Sequence, residues 1–146
     1  MPDTQPITML LVEDDPGHAR LIERNLRRAH ITNEIMTLMD GQAAVDYLFG
    51  EGLKRPLPLL ILLDLNLPGL SGFQVLERLK TDGRTKHIPV LCLTTTDNPQ
   101  DIERCYALGC NVFITKPVEY ERFAEAIRQL GLFLSIVKIP NGGTAP

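Results

Sequence analysis

Five short apolar runs, Met9–Val12, Ile35–Leu38, Leu59–Leu63, Val90–Leu93 and Val112–Thr115, alternate with five segments of helical period. Most of these runs are continuous rather than alternating apolar with polar, the pattern of strands covered on both faces. The segments between them repeat their apolar residues along one helical face. Leu21, Ile22 and Leu26 do so within Pro16–Ala29, and Ala44, Val45, Leu48 and Phe49 within Gln42–Phe49. Phe73, Val75, Leu76 and Leu79 mark Phe73–Leu79, and Ile102, Cys105, Tyr106 and Leu108 mark Pro99–Leu108. Phe123, Ala126, Ile127 and Leu130 mark the last helix. Asp15-Pro16 and Asn98-Pro99 each read as an N-cap followed by proline at the first helical position, and Gly109 stands where a helix would end. Strict alternation over five units predicts a parallel sheet with helices on both faces, joined by right-handed crossovers.

Bulk properties narrow the class. A chain of 146 residues makes one domain, with a core over about residues 8–130 and a C-terminal arm over about 131–146. The net charge of −3 gives no reason to expect nucleic acid or an anionic membrane as partner. No apolar run approaches the ~18–20 residues of a membrane span, and no basic-then-apolar leader is present. Cys92, Cys105 and Cys110 are odd in number and lack metal-ligand spacing. They read as reduced thiols of a cytoplasmic protein, two of them buried. His18, His30 and His87 lie far apart; His18 could reach the acidic pocket, and a solvated helix position is the favoured reading.

In an open parallel sheet, ligands bind beyond the carboxyl ends of the strands. Glu13 and Asp14 follow the first run, Asp64 the third, Thr94 the fourth and Lys116 the fifth. One edge of the sheet therefore receives three acids, a hydroxyl and a lysine. Two carboxylates at ~4 Å repel by about 4 kcal/mol at an effective dielectric of ~20, so one lysine does not balance three. A hard cation on oxygen ligands is implied, and Mg²⁺ fits best. Asp14 and Asp64 are the expected direct carboxylate ligands, Glu13 the holder of a metal-bound water, and the backbone carbonyl of Asn66 a further ligand. Asp64 can also accept a phosphoryl group as an acyl phosphate. Lys116 and Thr94 would then hold the phosphoryl oxygens.

The stretches LLVEDDP, LLDLNLPGLSG, VLCLTTT and VFITKPV resemble, in order, the four signature blocks of response-regulator receiver domains. The resemblance covers roughly Met9 to Leu130, with 30 residues from Asp64 to Thr94 and 22 from Thr94 to Lys116. It implies a flavodoxin-like (βα)5 fold of strand order 2-1-3-4-5, with Asp64 as phospho-acceptor and Glu13 and Asp14 as metal-site acids. It likewise implies the Asn66 carbonyl as metal ligand, Thr94 as switch hydroxyl, Lys116 as phosphate-binding lysine and a cis Lys116-Pro117 bond. Phe113 occupies the switch-aromatic position, where Tyr is commoner, so no phenolic hydroxyl takes part. Asn66 and Thr96 flank the site and are expected to tune phosphoryl lifetime.

No output domain is apparent after Lys116, so the signal is expected to leave through a protein surface. The tail Leu130–Ile139 is unusually apolar. On a continuing helix Leu130, Phe133, Leu134 and Val137 extend the core face, while Leu132, Ile136 and Ile139 point roughly opposite; alternatively Gly131 ends the helix and the rest packs as an extended arm. This tail and TTTDNPQDIERCYALG resemble the stand-alone receivers that serve phytochrome-type histidine kinases. That subgroup implies a sensor histidine kinase as donor and a homodimer through the fourth helix, fifth strand and C-terminal region, with Leu132, Phe133, Ile136 and Ile139 on the partner surface. Two rivals remain. An aspartyl-phosphate phosphatase or phosphotransferase generally needs a second acid two residues after the nucleophile, where Asn66 stands; a phosphate-independent pseudo-receiver usually lacks one of the acid, Thr or Lys set. The expectation is a phosphoryl-accepting signalling domain that catalyses only its own phosphorylation and dephosphorylation.

Overall fold

The computed structural model describes residues 8–50, 57–95 and 97–129. Thr96 and the tail positions Leu132, Phe133, Ile136 and Ile139 lie outside the described residues. Strands β1 (Thr8–Val12), β2 (Glu34–Leu38), β3 (Leu60–Asp64), β4 (Val90–Thr94) and β5 (Val112–Thr115) alternate with helices α1 (Pro16–Arg28), α2 (Gly41–Phe49), α3 (Gly72–Thr81), α4 (Pro99–Ala107) and α5 (Tyr120–Gln129). All strand pairs are parallel, in the order β2-β1-β3-β4-β5.

Alternation along each strand sorts the core into two layers. Met9, Leu11, Leu60, Leu62, Leu91 and Leu93 pack with Ile22 and Leu26 of α1 and Phe123 and Ile127 of α5. Leu10, Val12, Ile61, Leu63, Val90 and Cys92 pack on the other face, with Leu48 of α2, Val75 and Leu79 of α3 and Cys105 of α4. Strands β3 and β4 are buried along their whole length, whereas the edge strands β2 and β5 are largely half-buried. Continuous apolar runs thus mark the central strands, which meet helices on both sides.

Local chemistry sets the helix ends. Asp15 caps α1, accepting from the N–H groups of Gly17 at 2.8 Å and His18 at 3.1 Å. The His18 bond, the stronger influence, holds the Asp15 carboxyl below its usual range. Asn98 caps α4 and Ser71 closes a reciprocal capping box with Gln74 on α3. Helix α4 ends where expected: Gly109 has φ +108, and the chain reverses so that the Cys110 N–H donates to the Cys105 carbonyl at 3.1 Å. Most element ends differ from the sequence expectation by one or two residues, and two of these differences fall at the site. The third strand runs one residue later, so Asp64 is its last residue, and the fourth extends to Thr94, because both backbones stay in the ladder (Asp64 opposite Leu93, Thr94 opposite Thr115). None of the described helices is long and apolar enough to cross a membrane.

Gly72 opens α3 directly against the end of β3. A Cβ there would stand 2.3 Å from the Asp64 carbonyl oxygen and 2.5 Å from Leu65 Cα. Backbone, not a flexible side chain, is in the way, so the strand end that carries Asp64 would have to move. Gly72→Ala is expected to lower the unfolding free energy in urea by about 1–3 kcal/mol; an unchanged midpoint would show that this contact is not tight.

Candidate functional site

The carboxyl ends of β1, β3, β4 and β5 open onto one edge of the sheet, and rigid backbone bonds lock them there. Glu13 N–H donates to Leu38 O at 2.9 Å, Leu65 N–H to Leu93 O at 2.8 Å and Lys116 N–H to Thr94 O at 2.8 Å. Glu13, Asp64 and Thr94 are all buried, and Asp14 is half-buried. The expected convergence is observed: Glu13, Asp14 and Asp64 each offer a carboxylate oxygen within 4.8 Å of the others.

Lys116 neutralises part of this cluster. Its side chain is only 6% exposed, and its Nζ lies 2.7 Å from Glu13 Oε1 and 3.3 Å from Asp64 Oδ2. A carboxylate oxygen carries two lone pairs, so Glu13 Oε1, buried and paired with Lys116, keeps capacity for another donor. Glu13 Oε2 accepts from the Asp15 N–H at 3.1 Å. Burial pushes the Glu13 carboxyl above its ordinary range; Lys116 pulls it back and the charge on Asp64 pushes it up again. Among the described residues Asp14 has no ion-pair partner. Three acids against one buried ammonium leave a formal excess of two negative charges.

That excess and the donor set fit a divalent hard cation. Two oxygens on one Mg²⁺ stand roughly 2.9–4.2 Å apart, given bonds of ~2.0–2.1 Å in an octahedral shell. The carboxylate cluster is of that size, and the open valence of Glu13 Oε1 suits a metal-bound water.

The structure also ties Asp64 to Thr94 through Asn66, expected to lend a backbone carbonyl and to flank the site. The Asn66 N–H donates to Asp64 Oδ1 at 2.9 Å. Its side-chain oxygen accepts from Thr94 Oγ1 at 3.2 Å, from the Thr95 N–H at 3.0 Å and from Thr95 Oγ1 at 3.2 Å. Asn66 thus latches the β3–α3 loop onto the β4–α4 loop. The sequence offered no signal for this latch beyond the position of Asn66, two residues after Asp64.

His18 is exposed on α1, as expected, and also reaches the acidic pocket: its Nδ1 stands 3.2 Å from Lys116 Nζ and 3.8 Å from Glu13 Oε2, with the side chain 47% exposed. Lying in the first turn of α1, three residues after the cap Asp15, it faces back over the strand end that bears Glu13. Lys116 Nζ therefore has three polar neighbours, Glu13, Asp64 and His18. The Lys116-Pro117 bond is cis, as the resemblance implied. Phe113 is half-buried, edge-on to Tyr106 with ring centroids 5.9 Å apart. Tyr106, 47% exposed, is the phenol beside this position.

Comparison with known proteins adds an independent finding. Residues 9–128 match the family described as the response regulator receiver domain. The chain is 38% identical over 138 residues to the response regulator Rcp1 of Synechocystis sp., covering 92% of this chain and 94% of that protein. The solved response regulator receiver domain from Rhodospirillum rubrum is 52% identical, with a TM-score of 0.74 over 89% of this chain and 94% of the other. The bacteriophytochrome response regulator RtBRR is 36% identical, with a TM-score of 0.78 over 87% and 79% of the two chains. A Mn²⁺-bound form of Rcp1 gives 35% and 0.73, over 97% and 99%.

Replacing Asp64 with Asn removes one of the two anions that share Lys116 and leaves the shorter Glu13 pair. In chelator, Asp64→Asn is expected to raise the unfolding free energy by up to about 4 kcal/mol and to lose most of the stabilisation that Mg²⁺ gives the wild type. A variant no more stable than wild type in urea would mean that repulsion between the acids is already relieved.

Proposed function

The chain belongs to the response regulator receiver domain family, and on that premise we propose that Asp64 accepts a phosphoryl group from a sensor histidine kinase, with Mg²⁺ as cofactor. The observation that carries this reading is the single ammonium of Lys116 bridging Glu13 and Asp64 at 2.7 and 3.3 Å, beside the Asn66 link to Thr94. Asp14, Asp64 and the Asn66 carbonyl would hold the cation, and Glu13 would hold one of its waters. When bound, Mg²⁺ supplies charge neutralisation for the acids and for one phosphoryl oxygen.

The residues of the chain do the rest. A carboxylate oxygen of Asp64 forms the new bond to phosphorus while the bond from phosphorus to the donor imidazole breaks. The imidazole nitrogen keeps that electron pair. Lys116 is held by buried acids and presents a fixed positive charge to the transferring group, so little reorganisation is required. The Thr94 hydroxyl now donates to a neutral amide oxygen of Asn66. A phosphoryl oxygen is a stronger, charged acceptor, so the hydroxyl exchanges one for the other and pulls the end of β4 with it. Phe113, opposite Cys92 on the neighbouring strand, and Tyr106 repack in response, by apolar contact rather than through a phenolic switch at position 113. The domain catalyses only the gain and loss of its own phosphoryl group.

RtBRR is a bacteriophytochrome response regulator; likeness to it supports a phytochrome-type kinase as donor and the cytoplasm as the working compartment. The output is a protein contact, and a second copy of this chain is the partner that fits. A groove of about 330 Å³ along β5 and α5 is lined by Val112, Ile114, Ala126, Glu121, Arg122 and Glu125. Its apolar floor with both acid and base on the rim suits a two-fold contact in which each copy pairs with the other. Leu132, Phe133, Ile136 and Ile139 would extend this surface.

With Mg²⁺ and a small-molecule phosphodonor, the wild type should gain one acid-stable, base-labile phosphoryl group and Asp64→Asn none; label retained by the variant, or none on the wild type, would overturn the acceptor assignment. Deleting the residues after Leu130 is expected to shift sedimentation from dimer toward monomer, and an unchanged sedimentation coefficient would remove the tail from the interface.

A further inference from the structure

The cysteines, too scattered in sequence to predict a site, come together in space. Cys92 lies on β4, Cys105 on α4, and Cys110 just past the Gly109 reversal. Their three sulfur atoms lie within 4.8 Å of one another, and all three residues are buried. The backbone bond from the Cys110 N–H to the Cys105 carbonyl folds the end of α4 back, so that both sulfurs face Cys92.

Three thiolates on one ion with metal–sulfur bonds of ~2.3 Å stand about 4 Å apart. The cluster is within a small adjustment of that spacing. Cys110 Sγ lies 2.9 Å from the Val112 carbonyl oxygen. This contact requires a proton or a cation at the sulfur, and the carbonyl is the oxygen at hand for a fourth ligand. Shared thiol bonds push the Cys92 and Cys105 thiols up and draw Cys110 down, so the sulfurs already share protons unequally. The stem of Lys80 packs over Gly109 and its ammonium donates to the Ile88 carbonyl at 2.7 Å; burial holds this ammonium below its ordinary range, against the upward pull of Cys110 and Cys92. Three thiolates, one divalent ion and one ammonium sum to zero, which suits a buried position. A monovalent ion would leave net negative charge in the core.

We propose that Cys92, Cys105 and Cys110 form a binding site for a soft divalent d¹⁰ cation, zinc or its analogue cadmium, distinct from the carboxylate site. Sulfur ligands select such an ion over Mg²⁺, and ligation replaces the thiol protons, which leave to solvent. Cys110, 7% exposed, marks the side of entry. Binding ties the C-terminal end of α4 to β4, two residues before Thr94.

The test is titration of the reduced full chain with Cd²⁺ in excess Mg²⁺. A sulfur-to-metal charge-transfer absorption saturating at one equivalent is expected, with three sulfur neighbours in X-ray absorption. Cys105→Ala and Cys92→Ala should each weaken the site at least tenfold while circular dichroism stays that of the wild type. Absence of the absorption, a shell of oxygen neighbours only, or undiminished absorption in a folded variant would overturn the proposal. The X-ray absorption measurement uses the wild type and decides the matter even if both variants fail to fold.

Discussion

The ammonium of Lys116, buried between Glu13 and Asp64, is the contact on which the sheet edge depends. Burying a carboxylate costs several kcal/mol unless it is paired, and here two buried acids share one cation while Asp14 stands by with no ion-pair partner among the described residues. The arrangement persists because the strands that carry it are fixed elsewhere. Strand β3 is buried along its length, and β1, inside the same sheet, has Met9 to Val12 fully buried. Apolar burial worth about 1.5–3 kcal/mol per large side chain outweighs the repulsion at the strand ends. The site is thus left short of positive charge by a core that does not yield.

A second consequence concerns how that charge is read. Asn66 contacts both ends of the site, with its N–H on Asp64 and its side-chain oxygen on Thr94 and Thr95. Any group that competes for the Asp64 oxygens or for the Thr94 hydroxyl acts on the same loop. A ligand shifts a conformational equilibrium only by its differential contacts with the two states. In the proposed transfer the Thr94 hydroxyl would supply such a difference, since it donates here to the neutral amide of Asn66. On the neighbouring strand, Thr115 pairs with Thr94 and Phe113 with Cys92, so displacement at the end of β4 reaches the aromatic pair of Phe113 and Tyr106 through ladder bonds.

Much of this was legible from local chemistry. Strand and helix identity followed from period, and the ends of α1 and α4 from Asp15-Pro16, Asn98-Pro99 and Gly109, because caps and reversals depend on a few adjacent residues. The site acids, Thr94 and Lys116 were legible because a parallel sheet delivers successive strand ends to one edge. Strand ends at Asp64 and Thr94 were placed a residue short, since an apolar run stops before the backbone ladder does. What depended on tertiary approach was less legible. That His18 could reach the acidic pocket was open in the sequence, but it meets Lys116 only because the first turn of α1 folds over β1, and the Asn66 latch exists only once two loops close. The three thiols meet because α4 packs on the β5 side of the sheet, in the layer that holds Cys92, which spacings of 13 and 5 residues do not announce.

Strand β4 therefore carries two unlike environments on one face. Thr94 ends it beside carboxylate and amide oxygens, and Cys92, two residues earlier, ends in a pocket of sulfur and apolar side chains. Residues two apart on a strand share a face, so the separation between these environments is a single step of the pleat. Hard and soft ligand chemistry keeps them distinct despite that proximity: oxygen donors hold small, strongly hydrated cations, and thiolates do not compete for them. The two environments are joined mechanically, because β4 is buried end to end and a close-packed strand transmits a shift rather than absorbing it. A change in what Thr94 bonds and a change in how α4 is held at Cys105 thus act on the same rigid element one pleat step apart.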